Sequence, residues 1–158
     1  MARRIDFYDD PHAPPANSLV PSANVVVVND SGELLMIHRT DNDNWALPGG
    51  AMDLGESLVD TAVRETREET GIDCEVTGLV GIYTDPKHVI LYTGNGEARQ
   101  EFSVVFTARP TGGTPTTSSE TREVTWITPD AVENLPMDRS MRVRIQHYLD
   151  RRATPYLG

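Results

Sequence analysis

Glu65, Glu68 and Glu69 follow Arg64 directly, and Glu56 stands eight residues before that arginine. Positions three and four apart are neighbours on a helix, so the first three carboxylates would share one face. Like charges so placed destabilise a bare helix by about a few tenths of a kcal/mol per pair. A hard divalent cation offsets that repulsion, because Mg²⁺ or Mn²⁺ prefers oxygen ligands and keeps waters or phosphates in its shell. The chemistry such a group supports is that of a bound hard cation, which can polarise an oxygen ligand or activate water. The competing reading is a solvated acidic helix face.

The elements that must carry these residues are legible around them. Leu47-Pro48-Gly49-Gly50 closes a turn, since proline fixes φ and the glycines permit close backbone approach. A loop through Met52–Gly55 follows, then a helix from Glu56 or Ser57 to Thr70. Ser57 with Asp60 three residues later reads as an N-cap and weak capping box, and Gly71 as the C-terminal stop. Helical periodicity puts Val59, Ala62, Val63, Thr66 and Thr70 on the core face. Arg64 is spaced four from both Asp60 and Glu68, so it can brace the helix and orient a carboxylate.

From Gly50 to Ile72 the chain reads G-x5-E-x7-R-E-T-x-E-E-x-G-I. This resembles the signature of the Nudix hydrolases, with Thr66 standing where an aliphatic residue is usual. Seven fixed residue types at ordinary usage give a chance match of about 10⁻⁸ per window. The resemblance implies an α/β/α sandwich with a mixed β-sheet, the motif forming a loop–helix–loop. It implies hydrolysis of a nucleoside diphosphate linked to another group X, with Mg²⁺ as cofactor and Mn²⁺ as substitute. It also implies Glu65, Glu68, Glu69 and the Gly50 carbonyl as metal ligands. Glu56 would support the loop or a metal-bound water, its other reading being a carboxylate favoured by the helix dipole. Arg64 would brace the ligands. The general base in this family is a motif glutamate or an acid in a later loop. Glu120, after a Gly/Thr/Ser-rich loop, is the candidate here and Glu123 the runner-up.

Substrate contacts rest on fewer residues. Arg39 ends a strand directed at the expected cleft and could bind phosphate bidentately. Trp45 would pack against the motif loop or wall the cleft. Pro86, fourteen residues past the motif, resembles a proline of the family's ADP-ribose pyrophosphatases; it also reads as a turn proline. The expected substrate is therefore ADP-ribose or a related nucleoside diphosphate sugar. The alternatives are a pyrophosphatase that cleans damaged (d)NTPs such as 8-oxo-dGTP from the pool, and a catalytically silent nucleotide sensor. His12, His38, His88 and His147 have no metal-ligand spacing and read as surface or core.

Length and charge bound the rest. The 158 residues suit one domain over 23–150, preceded by a Pro-rich arm (1–22) and followed by a tail (151–158). The net charge of −10 argues against nucleic acid and anionic membranes as partners and leaves a small nucleotide as ligand. Residues 1–18 carry charge without an apolar stretch, so no secretory signal is expected. The single cysteine, Cys74, reads as a small buried apolar residue and suits a reducing cytoplasm. Exchange of the arm between two copies would make a homodimer.

Strands are expected at Asn24–Val28, Glu33–Arg39, Cys74–Tyr83 and Val124–Ile127. Lys87–Tyr92 and Arg99–Arg109 should form a hairpin across Gly94-Asn95-Gly96. A loop should span Pro110–Ser119. Thr128 and Pro129 should start a short helix, and a last helix should run from about Asp138 to Arg151, with Met141, Ile145, Tyr148 and Leu149 apolar.

Overall fold

The structure is a computed structural model that describes residues 2–158. Its elements in chain order are β1 (Arg4–Tyr8), β2 (Ser18–Leu19), β3 (Ser22–Val27), β4 (Leu34–Arg39), β5 (Trp45–Ala46) and β6 (Gly49–Ala51). Helix α1 (Leu58–Thr70) follows, then β7 (Ile72–Tyr83), β8 (His88–Tyr92), β9 (Glu97–Gln100), β10 (Ser103–Gly113) and β11 (Thr121–Ile127). Helices α2 (Pro129–Val132) and α3 (Arg139–Leu149) and strand β12 (Tyr156–Leu157) complete the chain.

The central sheet is mixed, in the order β12-β7-β10-β3-β6. Its β-branched run explains its place. Ala23, Val25 and Val27 on one face of β3 pack with Ala62 of α1, while Val26 on the other packs with Met141 and Ile145 of α3. Side chains alternate along a strand, so a strand buried on both sides reads as a continuous apolar run. Each fully buried valine stabilises the fold by about 1.5–3 kcal/mol. The result is an α/β/α sandwich, as the sequence implies. A second sheet, β11-β4-β5, extends the core, and a third, β1-β8-β9-β2, lies to the side of the cleft described below.

Helix α1 begins and ends where the sequence places it. The Ser57 side chain accepts from the Asp60 amide and the Asp60 carboxylate accepts from the Ser57 amide, closing a capping box. Gly71 ends the helix in the left-handed region at φ 75°. The buried face is rotated from the one expected. Thr61, Ala62, Thr66, Glu69 and Thr70 are buried, whereas Val59 is 44% exposed. The reason is that Glu69 turns inward, so the helix presents a carboxylate where a purely apolar stripe would have been chosen.

Four further expectations change. Arg99–Arg109 is not one strand: the chain leaves the side sheet at Glu101-Phe102 and enters the central one, where β10 runs parallel to β3 and antiparallel to β7. The loop expected from Pro110 starts later, because β10 continues to Gly113. The Pro-rich arm is extended, but it is built into the fold: β1 pairs with β8 from Arg4↔Tyr92 to Tyr8↔His88, and β2 pairs with β9. The tail is docked too, through β12 on β7. No helix is long and apolar enough to cross a membrane among the described residues.

Gly71 tests the cap. A Cβ there would lie 2.6 Å from the Thr114 carbonyl oxygen, in a backbone conformation that disfavours side chains. Gly71→Ala is expected to cost at least about 1–2 kcal/mol, lowering the midpoint of thermal unfolding by several degrees. An unchanged midpoint would show that the loop after β10 gives way freely.

Candidate functional site

A cleft of about 380 Å³ opens between the motif helix, the edge of the central sheet and the side sheet. The carboxylates of Glu65, Glu68, Glu69 and Glu120 line one part of it, and Arg4, Arg39, Arg99 and Arg144 line its other walls.

The acidic part is ordered by Arg64. Its guanidinium donates to both Glu56 oxygens at 2.6 and 2.9 Å, to Glu65 Oε1 at 2.8 Å, to Glu68 Oε2 at 3.2 Å and to the Ala51 carbonyl at 3.1 Å. Arg64 is thus the brace that its spacing suggests. The expected pairing with Asp60 does not form, because Asp60 is occupied in the capping box. Glu56 is correspondingly consumed. It also accepts from the Asp53 amide at 2.9 Å and the Thr61 hydroxyl at 3.1 Å, and these bonds with Arg64 hold its carboxyl down at about 2. It is not among the residues that line the cleft, and its bonds to Asp53, Thr61 and Arg64 fit the loop-supporting role rather than direct coordination of a metal.

Glu69 is the most enclosed of the acids, 3% exposed. Its Oε1 accepts from the Gly49 amide at 2.9 Å, which turns the carboxyl toward the turn of β6. Burial pushes its pKa up to about 8; the Gly49 amide and the Arg39 charge oppose this, while Glu65 and Glu120 add to it. Burial likewise raises Glu65, helped by Glu68 and Glu120 and opposed by Arg64. Burial is the larger cause in both, and a hard cation bound to these oxygens would favour their charged forms. Gly50 belongs to the same cradle: a Cβ on it would come within 2.5 Å of the Glu65 carboxyl carbon. The donor set is all oxygen, so Glu65, Glu68, Glu69 and the Gly50 carbonyl could hold Mg²⁺ or Mn²⁺. A separate group, Asp6, His88 and Asp138, also brings ligand-type atoms within 4.8 Å of one another. There Asp6 Oδ2 is bonded to His88 Nε2 at 2.7 Å, and the Asp138 carboxylate accepts from Tyr8 and Ser140, so the trio reads as a satisfied buried network.

Other expected residues divide. Glu120 lines the cleft within the fields of Glu65 and Glu69. Glu123 does not: it sits on β11 opposite His38. Arg39 lines the cleft, with its Nε and Nη2 bound to Asp41 at 2.8 and 2.6 Å. Trp45 does not reach the cleft; it stacks on His38 with ring centroids 5.1 Å apart and packs against the core. Pro86 is an exposed turn residue between β7 and β8, remote from the lining.

Several lining residues were not singled out from the sequence, and Arg144 is the clearest. It is 2% exposed, and its Nη1 donates to Asn24 Oδ1 at 2.5 Å. Its Nη2 lies 3.1 Å from Glu101 Oε2 in an ionic contact, and its Nε has no partner among the described residues. Glu101 also faces His88 Nδ1 at 3.3 Å, and His88 faces Asp6, which binds Arg4. Arg4, Asp6, His88, Glu101, Arg144 and Asn24 thus form one chain from the N-terminal strand to the cleft floor.

With that geometry in view, the comparisons with known proteins decide the family. A sequence model of the NUDIX domain matches residues 18–148. The chain belongs to the Nudix hydrolase family. This Nudix hydrolase is 41% identical to a "MutT-like protein" of Streptomyces ambofaciens, over 76% of the chain and 70% of the relative. It is 35% identical to a "Putative 8-oxo-dGTP diphosphatase" of Bacillus subtilis strain 168, over 66% of the chain and 64% of that protein. The solved structure of a MutT protein from Methanosarcina mazei Go1 superposes with a TM-score of 0.68 at 20% identity, covering 92% of this chain and all of that one. Nudix hydrolases act on pyrophosphate bonds and generally use divalent ions, which agrees with the all-oxygen cradle.

Burial alone would raise Glu101, but the Arg144 charge, the Ser103 hydroxyl and further cations pull it below the usual carboxylate range. Asp6 is likewise raised by burial and pulled below that range by His88 and Arg4. A lowered folded value stabilises above the unfolded value near pH 4 and is lost as pH falls through the folded one. Unfolding free energy should therefore decline below about pH 4, less steeply in Glu101→Gln. At pH 7, Arg144→Ala should cost about 3–5 kcal/mol by leaving Glu101 buried without its arginine. A loss under 1 kcal/mol in urea unfolding would show that water reaches Glu101 freely.

Proposed function

We propose that this Nudix hydrolase converts a nucleoside 5′-triphosphate to its monophosphate and pyrophosphate in a divalent-cation-dependent reaction, a damaged purine (d)NTP first. One observation carries the reading: a single cleft joins the motif carboxylates to four arginines drawn from β1, β4, β9 and α3. A triphosphate offers more phosphate oxygens to charge-assisted donors than a diphosphate linked to a sugar, so a wall of four guanidinium groups favours it. The names of the two relatives support the same class. Among described lining residues the aromatic contribution is Tyr92, already covered by the Arg99 guanidinium 4.8 Å from its centroid. The aromatic walls that would favour an adenine-linked ADP-ribose are thus supplied by one ring. The nucleoside diphosphate sugar remains the second reading on one ground: a neighbouring cavity of about 390 Å³ shares Tyr92 and Arg99 with the cleft and offers room for a second moiety.

The residues divide the work. Glu65, Glu68, Glu69 and the Gly50 carbonyl would hold the cation, which when bound neutralises phosphate charge and lowers the pKa of an attacking water. Arg64 fixes Glu65 and Glu68 from behind, and the Gly49 amide fixes Glu69. Glu120 reaches into the cleft from the chain before β11 and takes the proton as water attacks phosphorus and the bridging P–O bond breaks. The wall arginines receive the phosphate oxygens, which is the placement and charge neutralisation that phosphoryl transfer requires. We place the enzyme in the cytoplasm, where its nucleotide substrates are abundant and the lone Cys74 stays reduced.

Product analysis on a panel of 8-oxo-dGTP, the ordinary dNTPs and ADP-ribose with Mg²⁺ or Mn²⁺ tests this. Monophosphate and pyrophosphate should appear from a triphosphate, with turnover lost in Glu69→Gln and reduced about 10²–10⁴-fold in Glu120→Gln. AMP from ADP-ribose alone would install the second reading. Tight nucleotide binding without turnover would leave a sensor.

A further inference from the structure

Three of the cleft arginines are built alike. Arg4, Arg39 and Arg99 each give Nε and Nη2 to a carboxylate two residues away on or beside the same strand: Asp6, Asp41 and Glu97. All six bonds fall between 2.6 and 3.1 Å. Each guanidinium is held side-on, and its Nη1 makes no bond among the described residues. A fork so tied loses little side-chain freedom when a ligand arrives.

The three charges also sense one another. For Arg39 and Arg99, burial and the Arg4 charge disfavour protonation, while the clamping carboxylates more than restore it. Each guanidinium charge is matched by its own clamping carboxylate, so what the three offer a ligand is a set of fixed, charge-assisted Nη1 donors rather than uncompensated charge. Arg4 is the informative member. It lies outside the residues matched by the family's domain model, which begin at 18, yet its side chain is only 12% exposed and lines the cleft. Its carboxylate, Asp6, is held in turn by His88 at 2.7 Å, and Tyr8 on the same strand donates to Asp138 at the start of α3. The N-terminal strand is therefore anchored at its middle and at its C-terminal end as well as by its pairing with β8, and it carries Arg4 to a fixed place.

We propose that the N-terminal strand completes a phosphate subsite, in which the Nη1 edges of Arg4, Arg39 and Arg99 bind a phosphate group of the substrate remote from the motif carboxylates. For a triphosphate substrate this is the terminal phosphate. The inference rests on the triphosphate reading above for the identity of that group, and on the arginines alone for its charge. The subsite makes the enzyme prefer a triphosphate over the matching diphosphate.

The test is calorimetric binding of non-hydrolysable α,β-methylene dGTP and α,β-methylene dGDP to the Mg²⁺-loaded full chain. Wild type should bind the triphosphate analogue at least about tenfold more tightly. Arg4→Gln and Arg99→Gln should each remove most of that preference and leave diphosphate affinity within about twofold. Arg122→Gln, a surface arginine paired with Asp43, should leave both affinities unchanged. Arg4→Gln strands Asp6 in a buried position, so Arg4→Gln/Asp6→Asn is measured beside it and should show the same lost preference in a folded protein. Equal weakening of both analogues, or none, in the folded variants would overturn the subsite. Inorganic tripolyphosphate separates the two claims. If wild type hydrolyses only a nucleoside diphosphate sugar, yet Arg4→Gln binds tripolyphosphate about tenfold more weakly, the substrate reading fails and the subsite stands. If triphosphates are hydrolysed and the arginine variants keep the preference, the reverse holds.

Discussion

Glu101 and Arg144 are nearly inaccessible to water, and what surrounds them accounts for much of the architecture. Glu101 sits where the chain passes from the side sheet to the central sheet, and Arg144 comes from the helix on the opposite face. Isolated, either charge would cost several kcal/mol to bury, and the pair breaks even only if the remaining donors and acceptors find partners. Ser103, His88 and Asn24 supply several of these partners, and His88 links them to the N-terminal strand, while Arg144 Nε is left without one among the described residues. One compensation problem thereby ties together β1, β3, β8 and α3 around the floor of the cleft. A hydrophobic pair would hold the layers as well, but it would not present guanidinium nitrogens to a ligand.

The acidic part of the cleft follows the same logic with the opposite sign. Arg64 offsets Glu56, Glu65 and Glu68, and the Gly49 amide and Arg39 offset part of Glu69. What is left uncompensated is concentrated where a cation and a polyphosphate would meet. On the proposed function, excess carboxylate at one part and clamped arginines at the other would give the substrate a direction, with the scissile anhydride beside the acids and further phosphates toward the strands.

Local sequence revealed the parts whose interactions are local. Ser57, Asp60 and Gly71 bound α1 because capping depends on residues within one turn, and Arg64 braces its neighbours for the same reason. The strand run of β3 and the cap of α2 were equally plain. Where contacts are distant in sequence, the reading stopped. Glu101, where the strand breaks, pairs with an arginine 43 residues later, which no periodicity encodes. Trp45 and Pro86 have residue types suited to a nucleotide cleft, but strand pairing and a turn carry both elsewhere. The clamped arginines did leave a trace: Arg4-x-Asp6, Arg39-x-Asp41 and Glu97-x-Arg99 repeat one spacing, and two apart is the same-face interval of a strand. Read with the strands in hand, that repeat would have named them.

A crystal structure of Glu120→Gln with Mg²⁺ and a non-hydrolysable nucleoside triphosphate tests the central claim most directly, since it locates cation and phosphates in one experiment. The account predicts Mg²⁺ between the phosphates and Glu65, Glu68 and Glu69, with the chain of phosphates running toward Arg4, Arg39 and Arg99. Mg²⁺ bound instead at Asp6, His88 and Asp138, or a triphosphate lying outside the cleft, would contradict it.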